Sequence, residues 1–250
     1  HWNGPDSGGA WQIVPAAAFS DLRQTVYDVN TAASTPTNYT VQVEVCNPTF
    51  LESNCRQYPS GDYKPIGMLQ RYGENNRMYF GLMSGSYKKN TSGGVLRKNI
   101  STINDEINAS TGAFLTTTTG IIRTIDNFRV YGFNYSNYEH TNMLGGSAWV
   151  TTRPMNDEEF PNWGNPIGEI MYESLRYFAG KSSPTAAYDY TPAGTIDNTL
   201  GLPKPAWINP YNLEDTDRDG VIDSGEDDNG NGKLDGFESC SKPFILVLSD

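Results

Sequence analysis

The 250-residue chain is long enough for one large domain or two small ones with a real hydrophobic core, and its 29 acidic and 18 basic residues give a formal charge of −11. That balance excludes the basic footprint of a nucleic-acid or anionic-membrane binder, and no apolar run approaches the ~18 residues of a membrane span. Two histidines and three cysteines exclude a histidine-rich zinc site and a four-cysteine zinc ribbon.

The chain opens on His1 with no charged and apolar leader behind it, so any signal peptide is expected upstream or already removed. Residues 40–46 (Thr-Val-Gln-Val-Glu-Val-Cys) alternate apolar and polar side chains, which predicts a half-buried strand. Eight residues separate Cys46 from Cys55, a span that a hairpin-like loop closes, so a disulfide is expected in a secreted protein. Residues 65–73 read as a short helix with Pro65 in its first turn and Gly73 just past its end. A buried strand is expected over 77–84, then a turn at Gly93-Gly94 and a returning strand over 95–100. Weaker strand patterns occupy 127–133 and 148–152. The nearest approach to a nucleophile elbow, Gly145-Gly146-Ser147-Ala148-Trp149, has Trp at its last position, which leaves nucleophilic hydrolysis without a motif.

Ile167, Ile170, Met171, Ser174, Leu175 and Phe178 recur at helical spacing and predict the clearest helix of the chain, with Asn165 as its N-cap, Pro166 as its first residue and Gly180 as its stop. Beyond it the charge becomes concentrated. Residues 214–238 hold ten carboxylates against Arg218 and Lys233, so most of the net charge lies in one tenth of the chain.

That segment has calcium-loop spacing. Calcium is a hard cation that takes six to eight oxygens, and a twelve-residue loop supplies them from alternate positions, with glycine at 6, a backbone carbonyl at 7 and glutamate at 12. Over 215–226 the pattern is met by Asp215, Asp217, Asp219, Gly220, the carbonyl of Val221, Ile222, Asp223 and Glu226. It repeats without a gap over 227–238, through Asp227, Asn229, Asn231, Gly232, the carbonyl of Lys233, Leu234, Asp235 and Glu238. The bland alternative is a solvated acidic linker, but a linker does not repeat glycine, aliphatic and glutamate in two successive frames. No room remains for flanking EF-hand helices, and the array is similar to the compact ones of dockerins and thrombospondin type 3 repeats. Two bound Ca2+ ions would neutralise four of the charges and make the segment a rigid strut. After the loops, Cys240 has no obvious partner, and the apolar run 244–248 is expected to be a central parallel strand with its polar tip at Ser249 and Asp250.

Five stretches carry a family resemblance: 64–73 (Lys-Pro-Ile-Gly-Met-Leu-Gln-Arg-Tyr-Gly), 77–87, 93–97 (Gly-Gly-Val-Leu-Arg), 165–180 (Asn-Pro-Ile-Gly-Glu-Ile-Met-Tyr-Glu-Ser-Leu-Arg-Tyr-Phe-Ala-Gly) and 241–250 (Ser-Lys-Pro-Phe-Ile-Leu-Val-Leu-Ser-Asp). Collinear from about residue 40 to 250, they resemble the N-terminal half of the PilC/PilY family of type IV pilus tip proteins. The resemblance implies an α/β fold, a von Willebrand factor type A-like (Rossmann-like) central sheet with large insertions. Residues 1–39 would be an N-terminal extension or insertion, 40–250 a partial type A-like domain, and 183–240 an insertion carrying the calcium loops. It implies a secreted, non-enzymatic protein at the pilus tip or outer surface that supports pilus extension and adhesion, in contact with minor pilins and with a host or abiotic surface.

Type A domains can hold a divalent cation through a D-x-S-x-S motif, a Thr before a Pro-led helix and a later Asp. By resemblance Asn165 and Asp250 would stand at the last two positions of this further cation site, while the first motif is absent from the chain. Asn165 is equally a plain helix cap. Two other readings stay open: a secreted calcium-dependent carbohydrate-active enzyme, for which no separate carboxylate pair stands out, and a calcium-binding spacer. The N-x-S/T sequons at Asn38, Asn90, Asn99, Asn108 and Asn134 read as composition, and the aromatic side chains as core.

Overall fold

The computed structural model describes residues 44–115, 117–132, 154–212, 223–226, 236–237 and 241–248, together with four short strands given by their backbone alone. Those four form two antiparallel pairs: β1 (Arg23–Val26) with β2 (Thr37–Thr40), and further on β7 (Phe133–Asn134) with β8 (Glu139–His140). Between them lie β3 (Cys55–Gln57) and β4 (Tyr63–Pro65), α1 (Met68–Gly73), β5 (Phe80–Ser84), β6 (Val95–Ser101) and α2 (Ile121–Asn127). The helices α3 (Ile167–Phe178) and α4 (Ile196–Thr199) follow. Among the described residues every sheet is a two-stranded antiparallel one.

The β5–β6 hairpin organises the body. Its register slips between Met83↔Leu96 and Leu82↔Lys98, leaving Arg97 as the extra residue of a bulge. The slip sends Leu96 and Lys98 to opposite faces, so each face builds its own small core. On one, Leu96, Met83 and Ile100 pack with Tyr177 of α3 and with Trp207, whose rings meet edge to face at 5.6 Å. On the other, Phe80 and Leu82 pack with Ile103, Ile107 and Ile121 and with Leu69 of α1. Gly94 lies where the hairpin meets α3: a Cβ there would sit 2.7 Å from the Cα of Ile170, so any larger residue pushes helix and strand apart.

Arg97 is fully enclosed, and its guanidinium finds four acceptors: Ser84 Oγ at 2.9 Å, Gly85 O at 2.8 Å, Pro203 O at 3.0 Å and Asp197 Oδ1 at 2.5 Å. The other oxygen of Asp197 takes the Tyr87 N–H at 3.0 Å. One buried pair thereby joins the end of β5, the following loop, β6 and α4. Lys98, on the opposite face, donates to Glu106 at 2.5 Å, and the same buried carboxylate accepts the N–H groups of Ile121 and Ile122. Glu106 therefore caps α2, whose own N-cap residue, Gly120, has no side chain to do so.

Several sequence expectations change. The strand pattern of 40–46 fails where it is described: β2 stops at Thr40, and residues 44–46 enter a closed turn whose first cysteine has φ of +57°. Pro65 belongs to β4, pairing with Cys55, and α1 begins only at Met68 and runs through Gly73. The 127–133 pattern opens on the last residue of α2, and 148–152 lies outside the described residues. Helix α3 ends as expected, with Gly180 at φ +71° past its last turn. Its start is one residue later than expected: Pro166 takes the N-cap position with ψ of 48°, so Asn165 lies outside the helix, exposed, and caps nothing. Its buried side chains are Glu173 and Tyr177, while Met171 and Leu175 face solvent. The apolar run 244–248 pairs with no strand among the described residues, and Leu246 and Leu248 are 82% and 84% exposed.

Removing Asp197 would strand the Arg97 charge in the interior. Asp197→Ala is expected to cost about 3–5 kcal/mol, the usual range for a broken buried pair. Urea denaturation of the two proteins checks it, and a loss under 1 kcal/mol would contradict the reading.

Candidate functional site

The calcium segment is described at two places. At the end of the first loop, Asp223 to Glu226 form a tight turn in which Glu226 N–H donates to Asp223 O at 3.2 Å and Asp223 N–H donates to Glu226 Oε2 at 3.1 Å. Gly225 supplies a φ of +96° there, and Glu226 is turned inward, 4% exposed. An inward glutamate at the twelfth position, with an exposed Asp223 three residues before it, fits a hard-cation donor set. The remaining expected ligands, Asp215, Asp217, Asp219, Val221, Asp227, Asn229, Asn231, Lys233, Asp235 and Glu238, lie outside the described residues, as do Cys240 and Asp250. Asn165 is described and exposed.

The second place is Gly236-Phe237, within the second loop. Phe237 N–H donates to Pro210 O at 2.8 Å and its ring lies 4.6 Å from that of Tyr79, immediately before β5. Gly236 presses so closely on the backbone of Tyr211 and Asn212 that a Cβ would overlap it. The acidic segment is thus stitched to the β5–β6 body near its end.

Cys46 and Cys55 form the expected disulfide, with Cα atoms 5.6 Å apart. Glu52, beside them, is spent on the Cys46 N–H at 2.9 Å, so these residues form a clasp rather than a metal site.

Pattern reading missed a clamp between the β5–β6 loop and the segment before α3. The Asn90 amide donates to the carbonyls of Glu159, Phe160 and Trp163 and accepts the Glu158 N–H at 2.7 Å. Glu158 and Phe160, both in the left-handed region, bring those groups round the amide. With that amide enclosed, the Asn90 sequon cannot carry a glycan. Beside it Asp157 accepts from Thr91 N–H at 3.1 Å, Thr91 Oγ1 at 2.8 Å, Ser92 Oγ at 2.6 Å and Lys89 Nζ at 3.3 Å. Burial pushes the Asp157 carboxyl up, but the bonds from Ser92, Thr91 and Lys89 outweigh it and hold it below its ordinary value.

An open groove of about 450 Å3 runs between this clamp and residues 128–130, with Trp163, Pro161 and Val130 on its walls and Ser84 to Tyr87 beneath. Its polar groups are engaged internally: the Tyr87 hydroxyl with the Arg129 backbone, the Asn162 amide with the Tyr131 backbone. The phenol of Tyr190 is pushed up to about 12, first by burial, with Arg97 opposing and Asp197 reinforcing the rise. The buried carboxylates of Asp197, Glu106 and Glu173 are engaged with arginine, lysine, backbone N–H and threonine hydroxyl partners.

Comparison with known proteins gives the family. The family described as PilY1 homolog, second domain, matches residues 80–250. The type IV pilus biogenesis factor PilY1 homolog of Xylella fastidiosa is 40% identical over 224 residues, which cover 85% of this chain and 14% of that protein. No solved structure matches. The chain belongs to the PilY1 family and spans about one seventh of the length of that curated relative.

The clamp gives a pH signature. A carboxyl whose folded pKa is depressed adds stability above its unfolded value of 3.8, and that contribution is lost as the pH falls through the folded pKa. Asp157→Asn is therefore expected to lower the melting temperature at neutral pH, with the gap to the parent protein closing once the pH drops below about 4. A gap independent of pH in thermal melts would contradict this.

Proposed function

We propose that the chain is part of a secreted, non-enzymatic type IV pilus tip protein that supports pilus assembly and extension and surface adhesion. The observation that carries this reading is the 40% identity to a pilus biogenesis factor across 85% of the chain. The Cys46–Cys55 disulfide supports a location outside the reducing cytoplasm. Its partners in this reading are minor pilins at the tip and a host or abiotic surface.

The proposal includes a type A-like α/β sheet. Two surfaces support it: the exposed Met171–Leu175 side of α3 and the 244–248 run, which pairs with no strand among the described residues; a central sheet would cover the one and include the other. Asn165 and Asp250 would contribute to a further divalent-cation site only once that sheet forms. The proposal also includes two Ca2+ ions in loops 215–226 and 227–238, supported by the repeated spacing and by the inward Glu226. Bound calcium would offset the mutual repulsion of ten carboxylates, and the anchor at Phe237 would carry the resulting stiffness to the β5–β6 hairpin.

Deleting the gene from its own bacterium is expected to reduce the number of surface pili, with recovery on complementation, scored by electron microscopy. Unchanged piliation would overturn the pilus role. Calorimetric titration with calcium is expected to give two sites per chain, and calcium at one hundred times its Kd should stabilise the fold by ~2.7 kcal/mol per site relative to chelator. Glu226→Gln should reduce that gain, while melting curves identical in calcium and in chelator would refute the calcium loops.

A further inference from the structure

The turn closed by Cys46 and Cys55 carries an aromatic side chain that the fold holds outward. Phe50 is 82% exposed, flanked by Val45 at 50% and Leu51 at 45%. A lone exposed apolar residue is ordinary, but here the backbone is tied down on both sides of it. The disulfide closes the base of the turn. Asn47 Oδ1 accepts both the N–H of Thr49 at 2.9 Å and its Oγ1 at 2.6 Å, and Phe50 N–H donates to Asn47 O at 2.8 Å. Glu52 takes the Cys46 N–H through its side chain and the Cys55 N–H through its carbonyl, and Asn54 O takes the Ile66 N–H just past β4. An anchor fixed in this way loses little conformational entropy when it is buried by a partner.

We propose that Phe50, with Val45 and Leu51 at its sides, is the anchor of a protein–protein interface and inserts into an apolar pocket on a partner protein. Charge selects the class of partner. Residues 44–55 include two carboxylates, Glu44 and Glu52, and no lysine or arginine, so the turn has none of the cations that seat an apolar tip in an anionic bilayer. Both are exposed, Glu52 accepting the Cys46 N–H and Glu44 the Asn47 amide at 3.0 Å, and they give the turn an anionic rim complementary to a basic edge around the receiving pocket. The assembly in which the interface operates rests on the pilus reading; the interface itself does not.

The test uses the full-length protein in its own bacterium, with a photoreactive amino acid at the exposed Ser53 of the same turn. The expected result is a discrete crosslinked protein adduct whose yield falls about tenfold on Phe50→Ser and is kept by Phe50→Tyr, the loss typical of a hot-spot aromatic. Abundance and melting temperature of Phe50→Ser should match those of the parent. An adduct that is absent or insensitive to Phe50→Ser overturns the proposal. A destabilised Phe50→Ser protein also overturns it, because Phe50 would then pack within its own chain. So does Phe50-dependent binding of the protein to phosphatidylglycerol vesicles. Normal piliation in the gene-deletion strain would refute the pilus reading alone and leave the crosslinking result standing.

Discussion

A guanidinium shut away from water must have its donors met, and Arg97 meets this demand with four acceptors from three stretches of chain: Ser84-Gly85, Asp197 and Pro203. Nothing local in the sequence brings these groups together. The bulge that singles out Arg97 in β6, the second of two register shifts in the hairpin, lies between the residues that feed its two apolar clusters, so the charged centre and the division of the clusters share one place in the ladder. Asp197 extends the arrangement by taking the Tyr87 N–H, which fixes the first part of the long β5–β6 loop and hence the loop that carries Asn90.

The apolar clusters are small for a chain of this length, and buried polar hubs do much of the connecting. Glu106 caps α2 from fifteen residues away and neutralises Lys98. Glu173, wholly buried on α3, takes the N–H of Thr185 at 2.9 Å and its hydroxyl at 2.5 Å, tying the segment after the helix back against it. Such hubs add little net stability compared with an apolar core, but a wrong arrangement leaves a charge bare, so they select one geometry from many. A chain dominated by loops and short elements benefits from that selectivity more than one with long strands, whose ladders already fix their register.

Local signals account for what the sequence revealed. The β5–β6 hairpin follows from two apolar stretches around a glycine-marked turn, the end of α3 from Gly180, and the disulfide from the spacing of Cys46 and Cys55. The misreadings have distant causes. The cap of α2 is Glu106, so no residue beside the helix announces it, and the pattern at 127–133 read as a strand. On α3 the apolar periodicity pointed to Met171 and Leu175 as buried, but Glu173 and Tyr177 occupy the interior because Thr185 and Trp207 are there to receive them. The 244–248 run is a separate case: it has the composition of a central strand, and among the described residues no strand pairs with it. Calcium-loop spacing is legible because ligand geometry is written in consecutive residues; the Asn90–Asp157 clamp is not, because its halves stand nearly seventy residues apart.

The acidic segment and the hairpin are mechanically linked through Phe237. Its N–H is bound to Pro210 O and its ring rests on Tyr79, one residue before β5 begins, so the contact falls beside the strand whose far end is held by Arg97. Ten carboxylates repel one another most strongly when the segment is compact, so without counter-cations the charge works against the short path between residue 212 and the Phe237 anchor. Gly236 sets the limit of approach at the anchor, because any side chain there would strike the backbone of Tyr211 and Asn212. The net charge of −11 is therefore largely a local property, concentrated in the segment that meets the β5–β6 hairpin through Phe237.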